Sequence, residues 1–124
     1  MQTKEQIKEN AQIERVPPQN IDAEMAVLGS LLIEEDAINQ ALELIDEECF
    51  YKTTHKKIFS CIVKLFNKNR SVDLITLTEE LKKVEDLEEV GGVSYLTMLA
   101  NAVPTAANIA HYSRIVKEKS ILRG

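Results

Sequence analysis

The stretch PPQNIDAEMAVLGSLL, from Pro17 to Leu32, decides how this chain begins to fold. Its two prolines force an extended backbone, and Asn20 follows them as a suitable N-cap for a helix. Four apolar side chains then recur at spacings of four, three and four: Ile21, Met25, Leu28 and Leu32. This spacing predicts an amphipathic helix. Gly29 costs about 1 kcal/mol relative to alanine inside a helix, so we expect another helix to cross closely there.

The composition is that of a single soluble globular domain. The chain has 124 residues, of which 44% are hydrophobic and 28% charged, and only four glycines and three prolines, too few for a turn-rich all-β fold. No apolar run approaches the roughly 20 residues that cross a bilayer, and the polar N-terminus lacks the apolar region of a secretory signal. We therefore expect a cytoplasmic protein with no membrane partner, in which the two cysteines are reduced thiols.

Charges fall in blocks along the chain. Residues 34–48 carry seven acids and no base, residues 49–72 carry six bases and no acid, and residues 73–90 carry seven acids against two bases. The blocks favour solvated faces and internal pairing, although the basic run leaves open a weak patch for phosphate or an acidic partner. The net charge of −5 argues against a dedicated nucleic-acid binder.

Apolar spacings beyond Leu32 predict five more helices with short connections. The expected fold class is all-α, a compact bundle of about six helices. We divide the chain into a flexible N-terminal arm at 1–15, a globular helical core at 16–104 and a last helix within 105–124. Pro104 ends the fifth helix, and Thr105 can cap the sixth.

No pattern of residues predicts catalysis or metal binding. A phosphate-binding loop needs a lysine and further glycines, and Gly91-Gly92 is followed by neither, so a helix-entry turn is favoured. Zinc ligands usually come in close pairs, whereas Cys49, His55 and Cys61 lie six residues apart. A cysteine and histidine pair that meets only in space remains open. We therefore predict no catalytic, cofactor-binding or metal-binding residue and no cofactor for this chain.

Three blocks of residues cover nearly all of the chain after residue 15. The first block reads PPQNIDAE with AVLGSLL at 17–32. The second begins with FY, continues with His55, Ile58 and Phe59, and ends with VDLITL and EL up to residue 81. The third contains VGGVSYL, PTAANI and YSRIVKEKS between 90 and 120. In this order and spacing the blocks resemble the N-terminal domain of bacterial replicative DNA helicases, the DnaB family.

The resemblance implies an all-helical domain on one face of a hexameric helicase ring. Such domains pair, commonly as a trimer of dimers, and they dock primase and influence the helicase loader. The last helix would be the start of the helical hairpin through which neighbouring domains pair. The ATPase motor, with its ATP, its Mg and its DNA contacts, would lie beyond Gly124, so this chain alone should neither hydrolyse ATP nor unwind DNA.

The last helix also carries apolar side chains with no domain left to cover them, which predicts a partner surface. The residues that we expect to contribute to self-association are Ile109, Tyr112, Ile115, Val116 and Leu122. Two functions stay open: an assembly and docking domain of a replicative helicase, or a stand-alone helical adaptor such as the helicase-binding domain of primase. Gly124 is either a natural helix end or the point where a longer chain was cut.

Overall fold

The computed structural model describes residues 16–124, so the arm predicted at 1–15 lies outside the described residues. Within 16–124 the chain forms six α-helices, one short 3-10 turn and no strand, which confirms the all-α prediction. The elements are α1 (Ile21–Ile33), α2 (Ala37–Leu44), the 3-10 turn (Glu47–Cys49), α3 (Thr53–Asn67), α4 (Leu74–Lys83), α5 (Gly92–Ala100) and α6 (Ile109–Arg123).

Side-chain caps start two of the helices, and the first of them is the cap that the sequence predicts at Asn20. The Ala23 N–H donates to Asn20 Oδ1 at 2.9 Å, which fixes the first turn of α1. At α4, the Thr76 N–H donates to Asp73 Oδ1 at 2.8 Å, and the Asp73 N–H donates to Thr76 Oγ1 at 3.0 Å. This reciprocal pair is a capping box, and it satisfies two N–H groups that have no partner inside the helix.

The predicted cap at Thr105 is wrong. Thr105 Oγ1 accepts from the Ala107 N–H at 3.0 Å, which closes a local turn, and α6 begins only at Ile109. A threonine hydroxyl that bonds two residues ahead competes with helix formation, so the helix starts after this turn.

The last helix is part of the core and has no uncovered apolar stripe at its centre. It packs mainly against α1 and α2 and also touches the 3-10 turn. Its residues Ile109, Ser113 and Val116 are buried in these contacts. The last helix therefore packs against the rest of the described fold, and the division into a core at 16–104 and a last helix within 105–124 stays a prediction.

Gly29 is the point at which α5 crosses α1. A Cβ atom built on Gly29 would overlap the carbonyl oxygen of Leu99 and lie 3.4 Å from the Cβ of Ala102. The predicted close crossing is thus confirmed, because only a residue without a side chain leaves room for that carbonyl group.

The charge blocks pair within the chain. Lys56 lies 3.2 Å from Glu48, Lys57 lies 2.8 Å from Glu89, and Lys64 lies 3.1 Å from Glu80. All three lysines belong to α3, and their partners come from the acidic blocks on either side of it in sequence. Internal pairing therefore accounts for much of the basic run, as the sequence favours.

Candidate interaction surface and a buried polar network

Within residues 16–124, no three or more His, Cys, Asp and Glu side chains are grouped so that they could hold a metal ion. Cys49 and Cys61 are both buried free thiols. Burial raises the pKa of the Cys61 thiol, with a further contribution from the charge of Glu80, which keeps the thiol protonated and weakly nucleophilic. None of the helices in this part of the chain is long and apolar enough to cross a membrane.

The five residues predicted for self-association lie at different depths on α6. Ile109 and Val116 are buried in the core of the same chain, Tyr112 and Ile115 are half-buried against it, and Leu122 is exposed. The side chains of Ile109 and Val116 thus pack against other helices of their own chain, and the contribution of the five residues to self-association stays a prediction. Self-association itself stays a prediction.

A shallow groove runs between α1 and α6 and contains two of the predicted residues. Its volume is about 310 Å³, which has room for a few side chains of a partner. The lining is mostly small or apolar and includes the polar residues Asn20 and Asp22. Its members are Asn20, Asp22, Ala23, Ala26, Ala102, Val103, Tyr112 and Ile115. A partner that binds in the groove would contact the two half-buried α6 residues, Tyr112 and Ile115.

The last turn of α6 displays two large apolar side chains. Ile121 is 65% exposed and Leu122 is 61% exposed. We call these two residues the α6 tip. The sequence prediction includes Leu122 and omits Ile121, although the two are adjacent and equally apolar. Together they form an exposed apolar surface beside charged residues of the same helix, a combination typical of contact sites.

A second feature is a set of buried hydrogen bonds around a carboxylate on α1, which we call the polar network. Glu24 is buried, and its carboxylate accepts from the Tyr51 N–H at 2.6 Å and from the Lys52 N–H at 3.4 Å. It also lies 2.8 Å from His55 Nδ1. An ionised carboxylate has only acceptors, so His55 Nδ1 must carry a proton. The carboxylate thus satisfies donors from the loop before α3 and from α3 itself.

His55 extends the network to α5. Its Nε2 atom lies 2.6 Å from the Tyr95 hydroxyl, and the two rings stack with centroids 5.9 Å apart. When the ring carries its only proton on Nδ1, Nε2 accepts the Tyr95 O–H. Burial raises the pKa of Tyr95, and the negative charge of Glu24 adds to the effect, so this hydroxyl stays protonated. Three helices are joined through these three side chains.

The backbone at Gly91 places Tyr95 for this role. Gly91 has φ +112°, a left-handed conformation, and a Cβ atom there would lie 2.6 Å from the Cβ of Tyr95. Glycine is therefore required for the turn that starts α5 so close to the aromatic side chain.

Sequence reasoning missed the network, although a signal for it exists. Glu24 precedes Leu28 and Leu31 by four and seven residues, the spacing of a buried stripe. His55 precedes Ile58 and Phe59 by three and four residues in the same way. Two titratable residues on inward stripes indicate a buried pair, because a lone buried charge would be too costly.

Comparison with known proteins decides the family. The model of the family described as "DnaB-like helicase N terminal domain" matches residues 16–118. The chain belongs to this family. The match spans α1 to α5 and most of α6, so the whole described fold except its last residues is accounted for.

Similar members of the DnaB family are whole helicases. The replicative DNA helicase DnaB of Geobacillus stearothermophilus is 52% identical over 110 residues, which cover 89% of this chain and 24% of that protein. The replicative DNA helicase DnaC of Bacillus subtilis is 51% identical over 110 residues, with the same coverage. The chain therefore spans about a quarter of the length of these relatives.

A solved structure agrees with the sequence match. The crystal structure of the N-terminal domain of DnaB helicase from Mycobacterium tuberculosis has a TM-score of 0.85 to this fold at 39% identity. The superposition covers 86% of this chain and 74% of that one. This chain is thus an N-terminal domain of the DnaB type in both sequence and fold.

Proposed function

We propose that this domain is a non-catalytic assembly and docking domain of a replicative DNA helicase. It supports oligomerisation of a ring, as a dimer within a trimer of dimers, and it provides contacts for primase and a helicase loader. The observation that carries the proposal is the α6 tip, where Ile121 and Leu122 are more than 60% exposed on the helix that also lines the groove through Tyr112 and Ile115.

The size of the apolar surface limits how strong such an association can be. Full burial of an isoleucine or leucine side chain contributes about 1.5–3 kcal/mol, and the tip residues are already partly buried, so each adds roughly 1–2 kcal/mol. A two-fold contact would bury both residues from both copies, roughly 4–8 kcal/mol in total. Because association costs at least about 4 kcal/mol in lost freedom, the tip alone gives a weak dimer. Tyr112 and Ile115 in the groove must contribute as well.

The motor functions belong to the rest of the parent protein. ATP and Mg would bind in its motor domain, and DNA would be contacted through that domain alone. We expect this chain by itself to show no ATP hydrolysis, and we place the parent in the cytoplasm. The curated relatives are whole helicases, which supports this proposal over a stand-alone adaptor. An ATPase domain encoded downstream in the same gene would favour the helicase domain over the stand-alone adaptor directly.

Sedimentation velocity on matched variants tests the contact surface. The variant carries Ile121→Ser and Leu122→Ser, and the control carries Ile75→Ser, which changes an α4 side chain that is 75% exposed. We expect the original chain and the control to associate as concentration rises, and the tip variant to associate at least tenfold more weakly. Equal association of all three would contradict a role for the tip.

Docking is tested by titrating the chain with primase from the same organism in a calorimeter. The proposal expects saturable binding, and the Ile75→Ser control should bind equally well unless α4 lies in the docking site. An absence of binding to both primase and a loader at millimolar concentration would leave only the assembly part of the proposal standing.

A further inference from the structure

One arginine at the end of α6 joins three parts of the chain. Arg123 Nη1 donates to the Pro18 carbonyl oxygen at 2.8 Å, and Nη2 donates to the Cys49 carbonyl oxygen at 2.7 Å. The guanidinium also lies 5.4 Å from the centre of the Tyr51 ring. Charged donors make the stronger class of hydrogen bond, and the rigid fork of arginine fixes both acceptors at once.

The segment Cys49–Lys52 is held from two sides by charged side chains. Arg123 on α6 takes its first carbonyl group, and Glu24 on α1 takes the N–H groups of Tyr51 and Lys52. The Cys49 carbonyl group and the Tyr51 and Lys52 N–H groups are therefore satisfied by the last and first helices of the fold. The Cys49 and Phe50 N–H groups instead bond to carbonyl groups within the 3-10 turn.

The chain before α1 is stiff enough to transmit a displacement. Pro17 and Pro18 restrict the backbone there, and Asn20 caps α1 only two residues after the carbonyl group that Arg123 holds. A shift of the last turn of α6 thus acts on the start of α1 and on Cys49–Lys52 through a single guanidinium.

We propose that Arg123 is a latch that couples the last turn of α6 to the first turn of α1 and to the Cys49–Lys52 segment. When the latch is closed, the three parts move as one body. When α6 is displaced at its tip, both other parts loosen while α4 keeps its protection. The latch does not depend on what binds the tip, so it stands or falls separately from the proposed function.

Hydrogen exchange read residue by residue by NMR tests the latch. The variants are Arg123→Gln, which loses the charge and the fork, and Arg123→Lys, which keeps the charge and can reach one carbonyl group at a time. The control is Arg114→Gln, because Arg114 is an exposed arginine of the same helix that makes no ion pair within the described residues.

The latch predicts a local and graded result. Exchange at the N–H groups of Tyr51, Lys52 and Glu24 should be about tenfold faster in Arg123→Gln, the effect of losing hydrogen bonds to a charged group, and less so in Arg123→Lys. The Leu81 N–H in α4 should be unchanged, and the control should match the original chain.

Three patterns of exchange would overturn the latch. They are unchanged exchange in Arg123→Gln, equal rates in Arg123→Lys and the original chain, and a rise that is equally large in α4. Global loss of the fold in both variants, seen by circular dichroism, also contradicts it, because a latch acts on the three parts that it joins.

Discussion

Removal of the Glu24 carboxylate should destabilise the domain more than any other single loss of charge. In Glu24→Ala, the Tyr51 N–H and His55 Nδ1 lose acceptors at 2.6 Å and 2.8 Å, whereas the Lys52 N–H, at 3.4 Å, is a weaker bond. Each buried donor left without a partner costs about 1–3 kcal/mol, so two strong bonds give about 2–6 kcal/mol. Domains of this size are stable by about 5–15 kcal/mol, so the variant should be close to unfolding.

Glu24→Gln refines the prediction, because it keeps the shape and one acceptor oxygen. The amide can accept from the Tyr51 N–H and donate to His55 Nδ1, if the imidazole proton moves to Nε2. This exchange of donors leaves the Lys52 N–H and the Tyr95 hydroxyl less well paired, so we expect a loss of about 1–3 kcal/mol.

Urea denaturation followed by circular dichroism measures both losses as free energies of unfolding. Asp22→Ala is the matched control, since it removes an exposed acid from the same helix turn and should cost only about 0.3–1 kcal/mol through the helix dipole. If Glu24→Ala costs no more than Asp22→Ala, the three-helix network does not hold the fold together and this reasoning is wrong.

Three further changes probe separate features of the fold. Gly29→Ala should lower the free energy of unfolding by about 1–3 kcal/mol despite the better helix propensity of alanine, because the new Cβ meets the Leu99 carbonyl. A higher free energy of unfolding in a urea melt would contradict the close crossing. Ser113→Ala should raise the melting temperature, since the buried Ser113 hydroxyl has no partner within the described residues and its removal is worth about 1 kcal/mol. The hydrogen bond from Lys64 holds the pKa of Glu80 below its usual range, so the stability that ionised Glu80 contributes is complete above about pH 5 and is lost as pH falls through its pKa in the folded state. Glu80→Gln should therefore flatten the acid side of the plot of unfolding free energy against pH. Parallel plots for the variant and the original chain would refute the pairing.

Features set by neighbouring residues were predictable from the sequence. The cap at Asn20 follows from its residue type and from the apolar run that comes after it, because a cap bonds within its own first turn. Gly29 also stood out locally, since a glycine inside a strong helix pattern needs a reason in the packing.

Features that depend on distant parts of the chain were not predictable in this way. Glu24 meets His55 across 31 residues, and Arg123 meets the Pro18 carbonyl group across 105 residues. Charge and spacing place such residues on a face of a helix and do not reveal the partner that the fold brings there. The burial of Val116 was missed for the same reason, because the apolar stripe of α6 was read without the helices that cover it.

The mass of the unmodified chain in solution, measured by sedimentation equilibrium from micromolar to millimolar concentration, tests the proposed assembly role most directly. We expect a mass that rises reversibly from one chain to two or more, and a rise that is weakened by Ile121→Ser with Leu122→Ser. A mass that stays at one chain over the whole range would contradict it.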